Sequence, residues 1–249
     1  MKKNILYILL VITFYGCNNK DASDCFQTTG TIIFQEIDVP SFSTILVQER
    51  VGLVIEEGPT QKVVIETGEN LLPDVSVEVI DNEIILKDNN ACNFVRDYGV
   101  TVIHITSPNI TKIRNASEQD VNSKGVLTYP SLYLQSVGEK TEYLAAGDFN
   151  LNISNENLKV WGNAVCNFNI TGTSNKLDLN LSDGDTRFNG SNFIVSEVIF
   201  NQVSSNDILI YPTESIKGNI YSTGDVICYN TPTLIDVEEI SGYGKLIFK

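Results

Sequence analysis

The stretch Lys176-Leu177-Asp178-Leu179-Asn180-Leu181-Ser182-Asp183-Gly184-Asp185 decides the fold. Leu177, Leu179 and Leu181 alternate with Asp178 and Asn180, a period of two that turns one row of side chains inward and the other to water. Ser-Asp-Gly-Asp then ends the run, because glycine accepts positive φ and aspartate accepts nearby backbone N–H groups. One such strand carries a single narrow apolar row and needs a neighbour to shelter it.

The same texture recurs outward from this point. Leu132-Tyr133-Leu134, Leu151-Asn152-Ile153 and Phe168-Asn169-Ile170 alternate alike, and further strands are expected at 193–200, 207–211, 216–221 and 226–229. Gly147-Asp148, Gly184-Asp185, Asn206-Asp207 and Gly224-Asp225 each stand at or just before a strand. Their aspartates lie 37, 22 and 18 residues apart, which fits a unit near 20 if the first gap holds two units. Periods of this size signal a solenoid, in which each coil buries its apolar face only against its neighbours. The expected fold is therefore all-β: a single-stranded parallel β-helix over residues 109–249, preceded by a β-rich portion over 31–108. In that portion Val75-Ser76-Val77-Glu78-Val79 and Ile84-Ile85-Leu86 flank Asp81-Asn82-Glu83 as a hairpin. A β-sandwich of hairpins is the alternative.

Composition agrees with an all-β chain. The 249 residues hold 26 asparagines and only six alanines; asparagine suits turns, whereas valine, isoleucine and the aromatics suit pleated surfaces. The formal charge of −14 repels nucleic acid and anionic lipid, so no nucleic-acid partner is expected.

Residues 1–16 read as a lipoprotein signal peptide. Lys2 and Lys3 precede an apolar run from Ile5 to Tyr15, closed by Gly16-Cys17. The run is too short for a membrane helix, which takes about 20 residues. Cys17 is the expected lipid-attachment site, although Phe14 stands where the usual pattern has leucine. Residues 17–30 form a tether, and Lys20, Asp21 and Asp24 resemble the surface-export signal of lipoproteins from the Bacteroidota. That places the chain on the outer membrane, with the cell surface preferred to the periplasmic face.

Four cysteines remain in an exported chain, where disulfides can form. Cys166 and Cys228 are 62 residues apart, about three coils or roughly 14 Å in a stack spaced at about 4.8 Å. A disulfide needs Cα atoms within about 7 Å, so both are expected to be free and buried. Cys25 and Cys92 can pair; the alternative is four reduced thiols.

No nucleophile elbow, zinc-protease helix or phosphate loop occurs. The sole histidine, His104, alternates with Val102, Ile103 and Ile105 as a strand residue. The corner aspartates Asp183, Asp185, Asp207 and Asp225, with Arg187 beside them, are the candidates for a polysaccharide-cleaving site. Asp183 and Asp185 are also the candidate ligands for Ca²⁺, the one cofactor considered, but two carboxylates fall short of the six to eight oxygens it takes. Exposed aromatics are the usual anchors for sugars and protein partners, and Tyr133, Trp161, Tyr211 and Tyr221 are the candidates here.

Cys25-Phe26-x-x-x-Gly30, Ile65-Glu66-Thr67-Gly68-Glu69-Asn70-Leu71-Leu72, Cys92-Asn93-Phe94-Val95-Arg96-Asp97-Tyr98 and Ser241-Gly242-x-Gly244 together resemble the head GIN domain family of auto-transporter adhesins. The likeness runs from about Thr31 to Phe248, with sparser corner glycines here. It implies a β-helical fold and transfers no catalytic residue. The expected function is a lipid-anchored envelope module that binds glycan or protein partners. A structural or assembly component of the envelope is the alternative, and an enzyme the remote one.

Overall fold

The computed structural model describes residues 24–138, 145–240 and 242–249. The signal peptide, Cys17 and the tether up to residue 23 lie outside the described residues. In chain order the strands are β1 (Ile32–Ile37), β2 (Thr44–Val47), β3 (Val51–Glu57), β4 (Lys62–Gly68), β5 (Val75–Ile80), β6 (Glu83–Asp88), β7 (Thr101–Ser107), β8 (Lys112–Asn115) and β9 (Val121–Leu127). They continue with β10 (Ser131–Ser136), β11 (Phe149–Gly162), β12 (Asn167–Leu181), β13 (Arg187–Gln202), β14 (Ile208–Ile220), β15 (Val226–Cys228), β16 (Leu234–Glu239) and β17 (Leu246–Phe248).

The long strands β11 to β14 stack in parallel, each on the next. Each has two legs, an outgoing one such as residues 149–155 and a second such as 157–162, followed by a short return loop. On the first leg Phe149 pairs with Phe168, Phe168 with Phe188, Phe188 with Ile208, Ile208 with Val226 and Val226 with Leu246. Equivalent residues thus recur every 18 to 20 positions. On the second leg Ile45, Ile113, Leu134, Val160, Leu179 and Phe200 form one inward column. Phe149 and Phe168 stack face to face with centroids 4.7 Å apart. Where Gly218 pairs with Phe200, a Cβ would stand 2.2 Å from the Phe200 carbonyl oxygen and 2.7 Å from its ring, so the position has no room for a side chain.

The stack departs from a strict single-stranded β-helix at its amino-terminal end. The rung β2–β3 lies between β6–β7 and β8–β9, parallel to both, so rung order is not chain order. Antiparallel strands then close that end: β4 pairs with β7, β1 with β4, and β5 with β6. The β5–β6 hairpin turns at Asp81 and Asn82, both at positive φ (48° and 67°), as a two-residue turn between twisted strands requires. One core cluster runs from Phe42 to Cys228 across residue 108, so the amino-terminal portion and the repeat region share a single interior. The arrangement is an all-β sheet curled into a solenoid; the sandwich alternative fails on the parallel pairing of Leu151 with Ile170 and Val160 with Leu179.

Cys25 and Cys92 are disulfide-bonded, with Cα atoms 4.4 Å apart, and Cys166 and Cys228 are free and buried. Three parallel pairings separate the Cys166 region from Cys228, which is why they cannot meet.

Phe168→Ala opens a cavity in the phenylalanine column and is expected to lower unfolding free energy by about 3–5 kcal/mol in denaturant titration. Replacing Cys25 and Cys92 by serine releases a loop of 67 residues and is expected to cost up to about 4 kcal/mol by the same measurement.

Candidate binding face

The parallel register writes rows of equivalent side chains along the outside as well as the inside. On the second leg, one outward column runs Lys112, Tyr133, Lys159, Asp178, Ile199, Lys217 and Asp236. The next runs Gln135, Trp161, Asn180, Asn201, Asn219 and Glu238. Two of the four aromatics singled out in the sequence, Tyr133 and Trp161, therefore share one face on adjacent strands. A shallow groove there is lined by Leu132, Tyr133, Asn157, Lys159, Lys176 and Asp178, among others.

The chemistry of this face is mixed by construction. Lys159 Nζ sits 5.1 Å from the centroid of the Tyr133 ring, so a cation covers an aromatic face. Trp161 is half-buried, and its indole N–H donates to Ser182 Oγ at 2.9 Å, which fixes the ring plane. Asn201 Nδ2 donates to Asn180 Oδ1 at 3.0 Å, a rung of an amide ladder that leaves further donors and acceptors facing out. Aromatic planes beside ordered amides and charged groups suit a polar, ring-shaped or extended ligand. Lys159, Lys176 and Asn157 were not singled out in the sequence; their signal is only that they are the polar members of alternating strands.

Tyr211 lies on the other leg, opposite Ile194 in the parallel register. Tyr221 stands just beyond β14, exposed, with its N–H donating to Gln202 O. Neither joins Tyr133 and Trp161. The first-leg face carries its own amide ladder, in which Asn150 donates to Asn122 at 3.1 Å and Asn169 to Asn150 at 2.9 Å. His104 is on that face nearer the capped end, where its Nε2 meets Glu66 at 2.6 Å.

The corner repeat is a column of Asp120, Asp148, Asn167, Arg187, Asp207, Asp225 and Lys245, each just ahead of the first leg. Asp185 falls out of step: it stands two residues ahead of Arg187, which is the residue paired with Asn167. The carboxylates accept backbone N–H groups from the next coil. Asp120 takes that of Asp148 (2.9 Å), Asp148 that of Asn167 (2.7 Å), Asp207 that of Asp225 (3.0 Å) and Asp225 that of Lys245 (2.8 Å). Asp185 accepts from the Ser205 hydroxyl, Asp183 from the Gly184 N–H, and Arg187 donates to Asn206 Oδ1 at 3.3 Å. Asp183 and Asp185 thus serve different partners. Among the described residues no group of three or more His, Cys, Asp or Glu side chains is placed to hold a metal ion.

Burial pushes the Cys166 thiol up to about 11 and the Cys228 thiol up to about 12. Near neutral pH both are therefore protonated core groups rather than nucleophiles.

The far end of the stack is open. β16 is the last second-leg strand and β17 the last first-leg strand among the described residues, and their inward-facing Ile235 and Phe248 are 49% and 37% exposed where their equivalents one coil earlier, Ile216 and Cys228, are buried.

Comparison with known proteins agrees with this geometry. The family model described as "Putative auto-transporter adhesin, head GIN domain" matches residues 41–232, and the chain belongs to that family. No curated protein sequence matches it. A crystal structure from Bacteroides fragilis NCTC 9343, described as a putative adhesin, superposes with a TM-score of 0.77 at 19% identity, covering 89% of this chain and 99% of that one. A second putative adhesin, from Parabacteroides distasonis ATCC 8503, gives 0.65 at 12% identity over 89% and 99% of the two chains. A protein from the same organism described as a putative lipid binding protein gives 0.60 at 13% identity over 88% and 98%. At these identities the likeness is one of fold.

Iodoacetamide at pH 8 is expected to leave Cys166 and Cys228 unmodified in the folded chain and to alkylate both after unfolding, as read by intact-mass analysis. Alkylation of either without unfolding would contradict their placement in the core.

Proposed function

We propose that this chain is a binding module of the cell envelope, held to the outer membrane by lipid on Cys17 and facing the cell surface. It takes a glycan or glycan-bearing partner on the second-leg face. The observation that carries the reading is the Tyr133–Lys159 pair beside Trp161 and the Asn180–Asn201 ladder, on a rigid parallel sheet. Membership of a family described as adhesins supports it, as does the amino-terminal export pattern. The Cys25–Cys92 bond fits an oxidising compartment outside the cytoplasm. We assign it no reaction. Of the candidates for polysaccharide cleavage, Asp185, Asp207, Asp225 and Arg187 fasten one coil to the next as acceptors and a donor, and Asp183 closes its own turn on Gly184.

A second reading, as an assembly component of the envelope, is favoured by the open end at β16 and β17, whose outer edges pair with no strand among the described residues and whose exposed apolar side chains invite an added strand.

Glycan-array binding by the folded chain is expected to be saturable, and Tyr133→Ala to weaken it about tenfold or more, some 1.4 kcal/mol. Lys159→Ala should weaken it in the same direction with unfolding free energy unchanged. Binding indifferent to both substitutions would remove the second-leg face from the account, and loss only on Ile235→Asp would favour the open end.

A further inference from the structure

Residues 89–100, which join β6 to β7, form an enlarged return loop that is knitted together from within. Cys92 is bonded to Cys25, and the Phe94 N–H donates to Cys25 O at 3.0 Å. Asn93 Oδ1 accepts the N–H groups of Val95 (3.2 Å) and Arg96 (2.9 Å), and its amide donates to Arg96 O at 2.6 Å. The Arg96 guanidinium reaches the carbonyls of Gln27, Asn90 and Cys92 at 3.1, 3.2 and 2.9 Å. Polar groups thus turn inward and hold the loop, while apolar side chains turn out. Phe94 is 75% exposed, Tyr98 77%, Phe26 53% and Val95 50%, and the Phe26 and Phe94 rings lie 5.9 Å apart. These side chains contribute nothing to the core, and a cluster of exposed apolar groups on an ordered loop marks a contact surface.

We propose that this disulfide-bound knob rests in the headgroup region of the bilayer that holds the chain. The inference depends on the reading of Cys17 as the lipid-attachment site. Cys25 follows Cys17 by eight residues. Fully extended, that span reaches at most about 27 Å. The knob therefore never leaves the neighbourhood of the membrane, and so short a tether makes even a weak insertion well populated. Its chemistry matches the interface. Aromatic rings with an apolar body favour the headgroup level, and residues 91–98 are formally neutral, with Arg96 against Asp97, on a chain of net charge −14. The acidic body is kept off anionic lipid, and the neutral aromatic knob is the part that can approach.

The consequence is orientation. β7 and β17 are separated by eight strand pairings, through β3, β9, the long strands and β15. At about 4.8 Å each, the open rung stands about 38 Å further along the stack. A knob seated at the bilayer holds the capped end down and directs the open end away from it.

The test uses the full acylated chain reconstituted in phosphatidylcholine vesicles, with and without brominated phosphatidylcholine. Phe94→Trp in a Trp161→Phe background reports on the knob, and Tyr229→Trp in the same background reports on the far end. The expected result is a blue-shifted Phe94→Trp emission that loses most of its intensity to brominated lipid, with Tyr229→Trp unaffected. With Cys17 shown by mass to be acylated, an unquenched Phe94→Trp indole overturns the proposal and leaves the anchor standing. A blue shift without quenching overturns it too, in favour of a protein contact. An unmodified Cys17 removes the anchor, and the proposal with it.

Discussion

Everything in this molecule depends on in-register parallel pairing between successive coils, whose equivalent residues lie about 20 positions apart. No single coil can bury its apolar row, so Phe149 is covered by Phe168, Phe168 by Phe188, and Leu134 by Val160 and Ile113. Because side chains alternate with a period of two, a slip of one residue would turn each inward row to water. Register is therefore held along the whole stack, and the same register that piles phenylalanines inside piles asparagines outside. Variation is confined to the return loops and to a few irregular steps, such as those between Asn169 and Thr171 and between Asn189 and Ile194, where the ladder can skip residues without changing face.

Solenoids have two ends, and this one treats them differently. Antiparallel β1, β4 and β5 cover the amino-terminal rungs, so that end is finished by strands of the same chain. At the other end the inward positions of the last rung remain partly in water. Between them lies a rigid outer face whose side chains are placed by the backbone register rather than by loops, which suits a site that must hold its shape without a partner. The disulfide-bound knob, the ordered face and the open rung thus occupy separate places along one axis.

Much of this was legible in the sequence. The alternation of Leu177, Leu179 and Leu181, the twenty-residue unit, the hairpin at Asp81-Asn82 and the separation of Cys166 from Cys228 all follow from periodicity and spacing. The placing of β2–β3 between later rungs was not legible, because alternation records which face is buried and says nothing of which strand lies alongside. The corner column was half visible. Asp148, Asp207 and Asp225 repeat a residue type, but Asn167, Arg187 and Lys245 fill the same position with different chemistry, and Asp185 looked like a member while standing two residues ahead of the true one. Tyr133 and Trp161 were recognisable as aromatics in strands; that they neighbour Lys159 depends on register, which puts Tyr211 on the other leg and Tyr221 several strands further along the stack.

The account stands most directly on the pairing of Asn150 with Asn169. Asn150→Cys and Asn169→Cys, introduced together in the otherwise native chain, place two outward thiols on adjacent parallel strands about 4.8 Å apart, within the range a disulfide spans. Mild oxidation should join them rapidly and nearly completely in the folded chain, as read by peptide mapping, while Asn150→Cys with Thr171→Cys stays largely open. Preferential joining of the second pair, or no joining of the first, would contradict the stacked-coil register.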